Sequence, residues 1–485
     1  MVSSSWGLRW RIDSVGRVVH AGAGPGTGVT LSWEGERLVR LTHERGRFVD
    51  LSWEGGRVVG AVSSDGRRVV YDYDEVGRLV GVVRPVGSRT YRWDEASLLA
   101  QVVDADGVVE VTNTFDQTGR VTTQRSPFGR TTRYSYLAGG VTATSDEDGS
   151  RGNTWIHDRR GRLVGVVDAQ GRRQSMGYDR WGNKVMVRTR DGQATACVFD
   201  ERGRIVLRRL PSGARQAWEW DELDRLVSAT VTGADDGAGG AGVEAVTRFV
   251  YEGPARQPCR VVDPEGGVTR LLWGPGGLLA RVVDPTGVGV DFAYDDFGEL
   301  VAVTNAEGAV ARLERDAAGR VVAAVAPLGN RTEYRYDSDT GLLATRTDPT
   351  GGRWSFEYTA AGRMSARVDP MGGRTTVSWG QDGQVETTTD PLGRVVGQWY
   401  DDLGNLAGMR LPDGSTWELG YDALSHLTHV KDAAGGQWSI SYGADGLVSA
   451  TQDPTGVRRN VERGPLGEVV AVPGTEGASR SSPAG

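Results

Sequence analysis

Short runs of aliphatic and β-branched residues recur along the chain, separated by polar turn signals. Leu163-Val164-Gly165-Val166-Val167 and Arg320-Val321-Val322-Ala323-Ala324-Val325 are typical. Such runs have the length and composition of β-strands. No stretch sustains a 3.6-residue apolar period between caps, so helix is expected almost nowhere.

The turn signals are periodic. Y-D-R-W-G-N-K from Tyr178 aligns with F-D-E-R-G-R-I from Phe199, Y-D-D-F-G-E-L from Tyr294 and Y-D-D-L-G-N-L from Tyr400. The unit is an anchor aromatic, then Asp, then Gly three residues after the Asp. The register runs from Ile12 to Arg463 through 22 anchors, of which 18 are aromatic, including Tyr73, Trp220, Tyr336 and Tyr421. Spacings are 20, 21 or 22 residues, except for 31 between Trp220 and Tyr251. That gap holds Thr232–Gly242, a Gly/Ala/Asp stretch read as a flexible surface insertion. Half a period after each first turn comes a second, D-P-x-G at Asp263, Asp284, Asp348, Asp369, Asp390 and Asp453. Asp hydrogen-bonds the turn backbone, Pro pre-sets φ, and Gly takes the left-handed conformation. Positive φ is therefore expected at the turn glycines Gly161, Gly182, Gly203, Gly298, Gly319 and Gly404.

Two strands and two tight turns per repeat force antiparallel neighbours. The expected fold is all-β: a ribbon of roughly 44 strands. A sheet beyond about ten strands must curl, so the ribbon should spiral, and the low apolar content leaves a hollow wall. A parallel β-helix lacks the paired hairpin turns, and leucine-rich repeats lack the L-x-x-L-x-L ladder. A propeller would need about eleven blades, past the usual eight. The repeat array is expected to occupy residues 1–472 and a disordered polar tail residues 473–485.

Composition narrows the class. Gly is 71 of 485 residues and hydrophobic residues 38%, which suits many turns and little thick core. The net charge of −7 argues against a nucleic-acid grip. Lys184 and Lys431 are the only lysines, which reads as coding bias. Cys197 and Cys259 read as small wall residues, one disulfide between them being the alternative. No apolar run nears the ~18 residues of a membrane span, and the first residues lack a signal-peptide pattern.

Candidate chemistry is sparse, and no catalytic, cofactor or metal site is expected. His426 and His429 sit three apart on a strand and so face opposite sides. Asp295/Asp296, Asp401/Asp402 and Asp337/Asp339 fall at turn starts, where Asp is a turn residue rather than half of an acid/base pair. Asp104–Asp106 and Asp146–Asp148 offer carboxylates for weak calcium binding, without EF-hand spacing. Gly22–Gly28 lacks the Lys and helix of a phosphate loop. Most of the 15 Trp, such as Trp33, Trp53, Trp93, Trp273 and Trp379, occupy the anchor position, where cross-strand packing competes with a sugar-binding reading.

The Y-D-x-x-G-R-L unit, in register over about residues 9–470, resembles the RHS/YD-repeat family of bacterial polymorphic toxins, insecticidal toxin-complex C components and teneurins. That resemblance implies a spiralling β-shell that encapsulates or presents a C-terminal toxin domain, a secreted or cell-surface location and no enzymatic activity. It implies as partners the protein's own C-terminal core and toxin or another cargo, with an immunity or export protein, and no nucleic acid or membrane insertion. The family's core segment and toxin are not found before Gly485, so the chain reads as a section of shell wall. Its ends look uncapped: the strand Glu468–Val472 runs into a Ser/Gly/Pro tail, and self-association through the edges is expected. The alternative function is a surface adhesin or carbohydrate-binding array.

Overall fold

In a computed structural model of the chain, the strands from Arg9–Ile12 to Val448–Gln452 each pair antiparallel with the strand before and the strand after, within one 45-stranded sheet. The structure describes residues 2–3, 9–23, 26–146, 152–168, 171–190, 192–233, 244–422, 425–443, 447–463, 469–472 and 474–475. Among these, the 3₁₀ turn Pro275–Gly277 is the sole helical element. The insertion lies largely outside the described residues. Val469–Ala471 pairs with Glu462–Arg463 in a separate two-stranded sheet, and Gly474–Thr475 lie against Arg458–Arg459. The rest of 473–485 is outside the described residues.

The ribbon has two edges. Turns that follow the anchors form one, the YD edge; the D-P-x-G type turns form the other, the DP edge. Pairing differs between them. At the YD edge Ile156 faces Gly165 but His157 faces Leu163, which leaves Val164 as an extra residue. Gly177 faces Met186 and Tyr178 faces Lys184 in the next repeat. DP-edge hairpins such as Gly165–Arg173 run without a break. A bulge bends its strand and sharpens the local twist. Bulges recurring on the same edge in most repeats make those bends add, and the ribbon coils; the Tyr136 and Val250 hairpins lack one, and the DP-edge hairpin at Val102–Val103 carries one.

Successive coils meet through side-chain bonds, with no strand pairing between them among the described residues. Arg45 reaches Gly276, 231 residues on, and Arg363 reaches Asp104 across 259 residues. Twelve repeats of two strands at ~4.8 Å per strand make a circumference of about 115 Å, so a coil is about 37 Å across.

The sheet is one layer thick and buries little. The apolar residues below the surface are mostly small: Ala214, Ala323, Ala366 and Ala450 are at most 1% exposed, and no large side chain is fully buried. Ala323 is covered by an ion pair. Arg331 Nη1 on the next strand reaches Glu314 Oε1 on the previous one at 2.5 Å, across Ala323. Arg374 and Glu357 close over Ala366 in the same way at 2.6 Å. These solvent-facing pairs contribute little each, because water screens them. Their effect is to make the third position of the intervening strand a place for a small side chain.

Candidate functional site

The repeating site is the YD turn. In the turn Asp158–Gly161, Asp158 Oδ1 accepts the N–H groups of Arg160 at 2.8 Å and Arg162 at 3.0 Å. Arg162 Nε donates to Asp158 Oδ2 at 2.8 Å. The Arg162 bond, reinforced by the two N–H groups, holds the Asp158 carboxyl below its usual range. The same guanidinium lies 4.8 Å over the ring of Tyr178, the next anchor, and donates to Asp179 O of the next turn at 3.3 Å. Each D-x-x-G-R unit therefore ties one turn to its successor. The glycine completes it: φ is 75° at Gly161, 97° at Gly182, 77° at Gly203, 78° at Gly298, 81° at Gly319 and 84° at Gly404.

The anchors do more than pack. Tyr178 Oη donates to Leu163 O of the preceding repeat at 2.9 Å. Tyr73, Trp220, Tyr294, Tyr336 and Tyr421 make the same bond 15 residues back at 2.9–3.0 Å. The ring spans two strands and satisfies a backbone carbonyl, so a donor at its tip is required. Arg315, without a ring, supplies Nε to Leu300 O at 3.1 Å. Phe115 has no donor, and Asn113 Nδ2 reaches Leu99 O at 3.0 Å instead. Phe199 and Ile12 carry no side-chain donor and make no such bond. Tyr400 departs: its hydroxyl donates to Gln398 Oε1 at 3.1 Å. The preference for Tyr and Trp over Phe was the signal in the sequence for this staple.

The second site is the seam, where the DP edge of the first coil meets the YD edge of the second. Asp106 Oδ2 accepts from Thr359 Oγ1 and Arg363 Nη1 at 2.6 Å each, and its Oδ1 accepts Ala361 N–H at 2.9 Å. Arg363 Nη2 bonds Asp104 Oδ2 at 2.7 Å. Burial pushes the Asp106 carboxyl up, but these bonds outweigh it and hold it below its usual range. Thr359 stands where most turns have Asp, which frees Arg363 from a local partner. Gly87 N–H donates to Ala360 O at 3.2 Å, and Arg47 donates to Glu299 Oε1 and Ala318 O at 3.1 Å each. Phe128 packs on Gly404, where an added Cβ would lie 2.8 Å from the ring.

A cavity of about 1140 Å³ opens at this seam, lined by Gln101, Ser126, Trp379, Gln384, Trp399 and Tyr400 among others. Ser126 Oγ and Gln384 Oε1 are buried there with no hydrogen-bond partner among the described residues.

The remaining candidates resolve locally. Asp104 and Asp106, read as a calcium cluster, are held by Arg363, and Asp146 by Arg130 at 2.6 Å; Glu147 and Asp148 lie outside the described residues. His426 bonds Asp422 at 3.0 Å and stacks on Tyr442 at 4.7 Å, away from exposed His429. Asp295 Oδ1 caps Phe297 and Glu299. Cys197 and Cys259 are both free thiols. Among the described residues no group of His, Cys, Asp and Glu has a metal-holding arrangement, and no helix is long and apolar enough to cross a membrane.

Fold and turns together define an antiparallel repeat shell. The RHS Repeat family matches residues 73–109, 157–194, 275–310, 294–331, 336–370 and 400–437, so the chain carries six RHS repeats. No curated protein matches it in sequence. Among solved structures it resembles the Tc holotoxin pore of Photorhabdus luminescens at 15% identity and TM-score 0.51, covering 90% of this chain and 27% of that one. The TcdB2-TccC3 crystal structure matches at 14% identity and TM-score 0.51, covering 96% and 32%. A form of it without the hypervariable C-terminal region gives 14%, 0.52, 95% and 31%. At this identity the likeness is one of fold, and this chain spans less than a third of each of those chains.

Proposed function

We propose that this chain is a non-catalytic wall of a hollow shell that encloses a polypeptide cargo and is exported with it. The observation that supports this is the seam. Residues 43–128 of one coil meet residues 274–405 of the next through turn-to-turn bonds, which converts an open ribbon into a continuous wall. The TccC3 form described by its hypervariable C-terminal region suggests the kind of cargo: a variable segment of the same protein. Protease protection tests the reading. One protease-sensitive peptide is fused after Gly485 and, separately, inserted at 234–243. Enclosure predicts that the first is cut at least about tenfold more slowly. Equal rates would sink it.

A second reading, carbohydrate binding, is supported by the seam cavity, where indole faces stand beside amide and hydroxyl groups without partners. Trp399 is 39% exposed. Tryptophan fluorescence should shift on titration with oligosaccharides, and the shift should vanish in Trp399→Ala. A flat titration removes this reading.

A further inference from the structure

At the seam one turn position recurs in the docking contacts: the residue just before the turn glycine on the DP edge. In the first coil it is Arg45, Val86, Asp106 and Phe128. Arg45 bonds Gly276 O, Asp106 takes the Thr359–Arg363 turn, and Val86 and Phe128 sit against Gly362 and Gly404. The same position in the second coil holds Leu328, Met371 and Leu392, which are 90%, 94% and 77% exposed. Successive DP turns are two strands apart, about 10 Å, so these three lie along one rim. Large apolar side chains this exposed on a single rim mark an interaction surface.

The opposite rim of the molecule, the YD edge of the first coil, is its counterpart. At three of its turns the residue before the turn glycine is Val15, Val76 and Trp181, which are 70%, 71% and 69% exposed, with Thr118, Arg160 and Arg202 at the same position in turns between or beyond them. A large residue at this position is compatible with a seam, because Phe297 occupies it in the second coil and lies 5.1 Å under the Arg47 guanidinium.

We infer that the second-coil DP rim docks the first-coil YD rim of a second copy of this chain, repeating between molecules the contact that joins the two coils within one. The argument is continuity. Both surfaces extend the existing seam in kind, both present apolar side chains at the seam position, and the DP-on-YD polarity is preserved. Such a contact is heterologous and does not close, so copies stack head to tail into open assemblies.

Complementation tests it. Light scattering across a concentration series should give a mass for the wild type that keeps rising past two copies. Leu328→Asp/Met371→Asp/Leu392→Asp removes one rim, and Val76→Asp/Trp181→Asp the other. Each variant alone should be monomeric, with an unchanged circular dichroism spectrum. Mixed one to one, they should form a dimer and nothing larger, because each retains one intact rim. A monomeric wild type at every concentration overturns the inference. So does a wild-type assembly that stops at two, a single-rim variant that still assembles, or a mixture of folded variants that stays monomeric.

Discussion

YD turns of the first coil and YD turns of the second have the same backbone and different chemistry. In the first coil most close on themselves, Asp74 with Arg78, Asp116 with Arg120, Asp158 with Arg162 and Asp200 with Arg204, while Asp94–Leu98 and Asp179–Asn183 lack the arginine. In the second coil the pair is broken repeatedly. Thr359 replaces the Asp, Glu299 replaces the Arg, and Gly380 and Gln384 replace both. Each of these departures lies at the seam. Glu299 and Arg363 bond the first coil directly. Asp316–Arg320 keeps the local pair and faces Asp65 and Arg67 across the seam. The repeat consensus thus describes a self-sufficient turn, and at the seam the turns that lose it, such as Asp295–Glu299 and Thr359–Arg363, bond across coils.

Four measurements would break or sharpen that contrast. The largest effect is expected from Gly404→Val. Left-handed backbone strains any β-branched residue by about 1–3 kcal/mol, and here a Cβ also meets Phe128. Gly182→Val, with φ 97° and nothing within 4 Å of its Cβ, should lose only the strain. Chemical unfolding of both checks the order, and equal losses would mean Phe128 is not packed at the seam.

Next comes Arg363→Ala. It strands two largely buried carboxylates and should destabilise by about 1.5–3 kcal/mol. Hydrogen exchange should quicken at both 104–107 and 359–363. Arg162→Ala should quicken exchange only around its own and the following turn. A purely local response to Arg363→Ala would refute a latch.

Acid should act on the seam through Asp106. Its carboxyl is held lower in the folded chain than the ordinary 3.8, so the unfolded state binds the proton more readily. The stability this contributes is present above about pH 4 and is lost as pH falls through the folded value. Hydrogen exchange at 359–363 should therefore rise on acidification below that point. Asp106→Asn should flatten this dependence.

The smallest effect separates two anchors. Tyr336→Phe loses the bond to Val321 O and should cost about 1 kcal/mol. Tyr400→Phe, whose hydroxyl serves Gln398, should cost less; matching losses in thermal unfolding would show that Tyr400 also staples the backbone.

Strands and turns were legible because they are local. Asp, Pro and Gly at fixed offsets dictate turn geometry, and the Leu163–Val167 run is strand-composed wherever it lies. The bulge was not legible: Val164 and Val185 are ordinary strand residues, and only the pairing register makes them extra. The seam was hidden for a different reason. Asp104 and Asp106 look like any acidic turn until the coil's circumference brings Arg363 opposite them, some 260 residues later. The weak calcium alternative for that cluster gives way to a cation from the same chain, the Arg363 guanidinium.

The fixed offset across the seam acts as a vernier. Asp106 meets Arg363 only when the intervening ribbon holds its present number of repeats. Deleting one repeat would slide the second coil by one tooth and set the Gly380–Gln384 turn, which has no arginine, against Asp106. Residues added within a turn loop leave the count unchanged. Length variation in such a wall should therefore be tolerated at turn tips and selected against in units of a whole repeat.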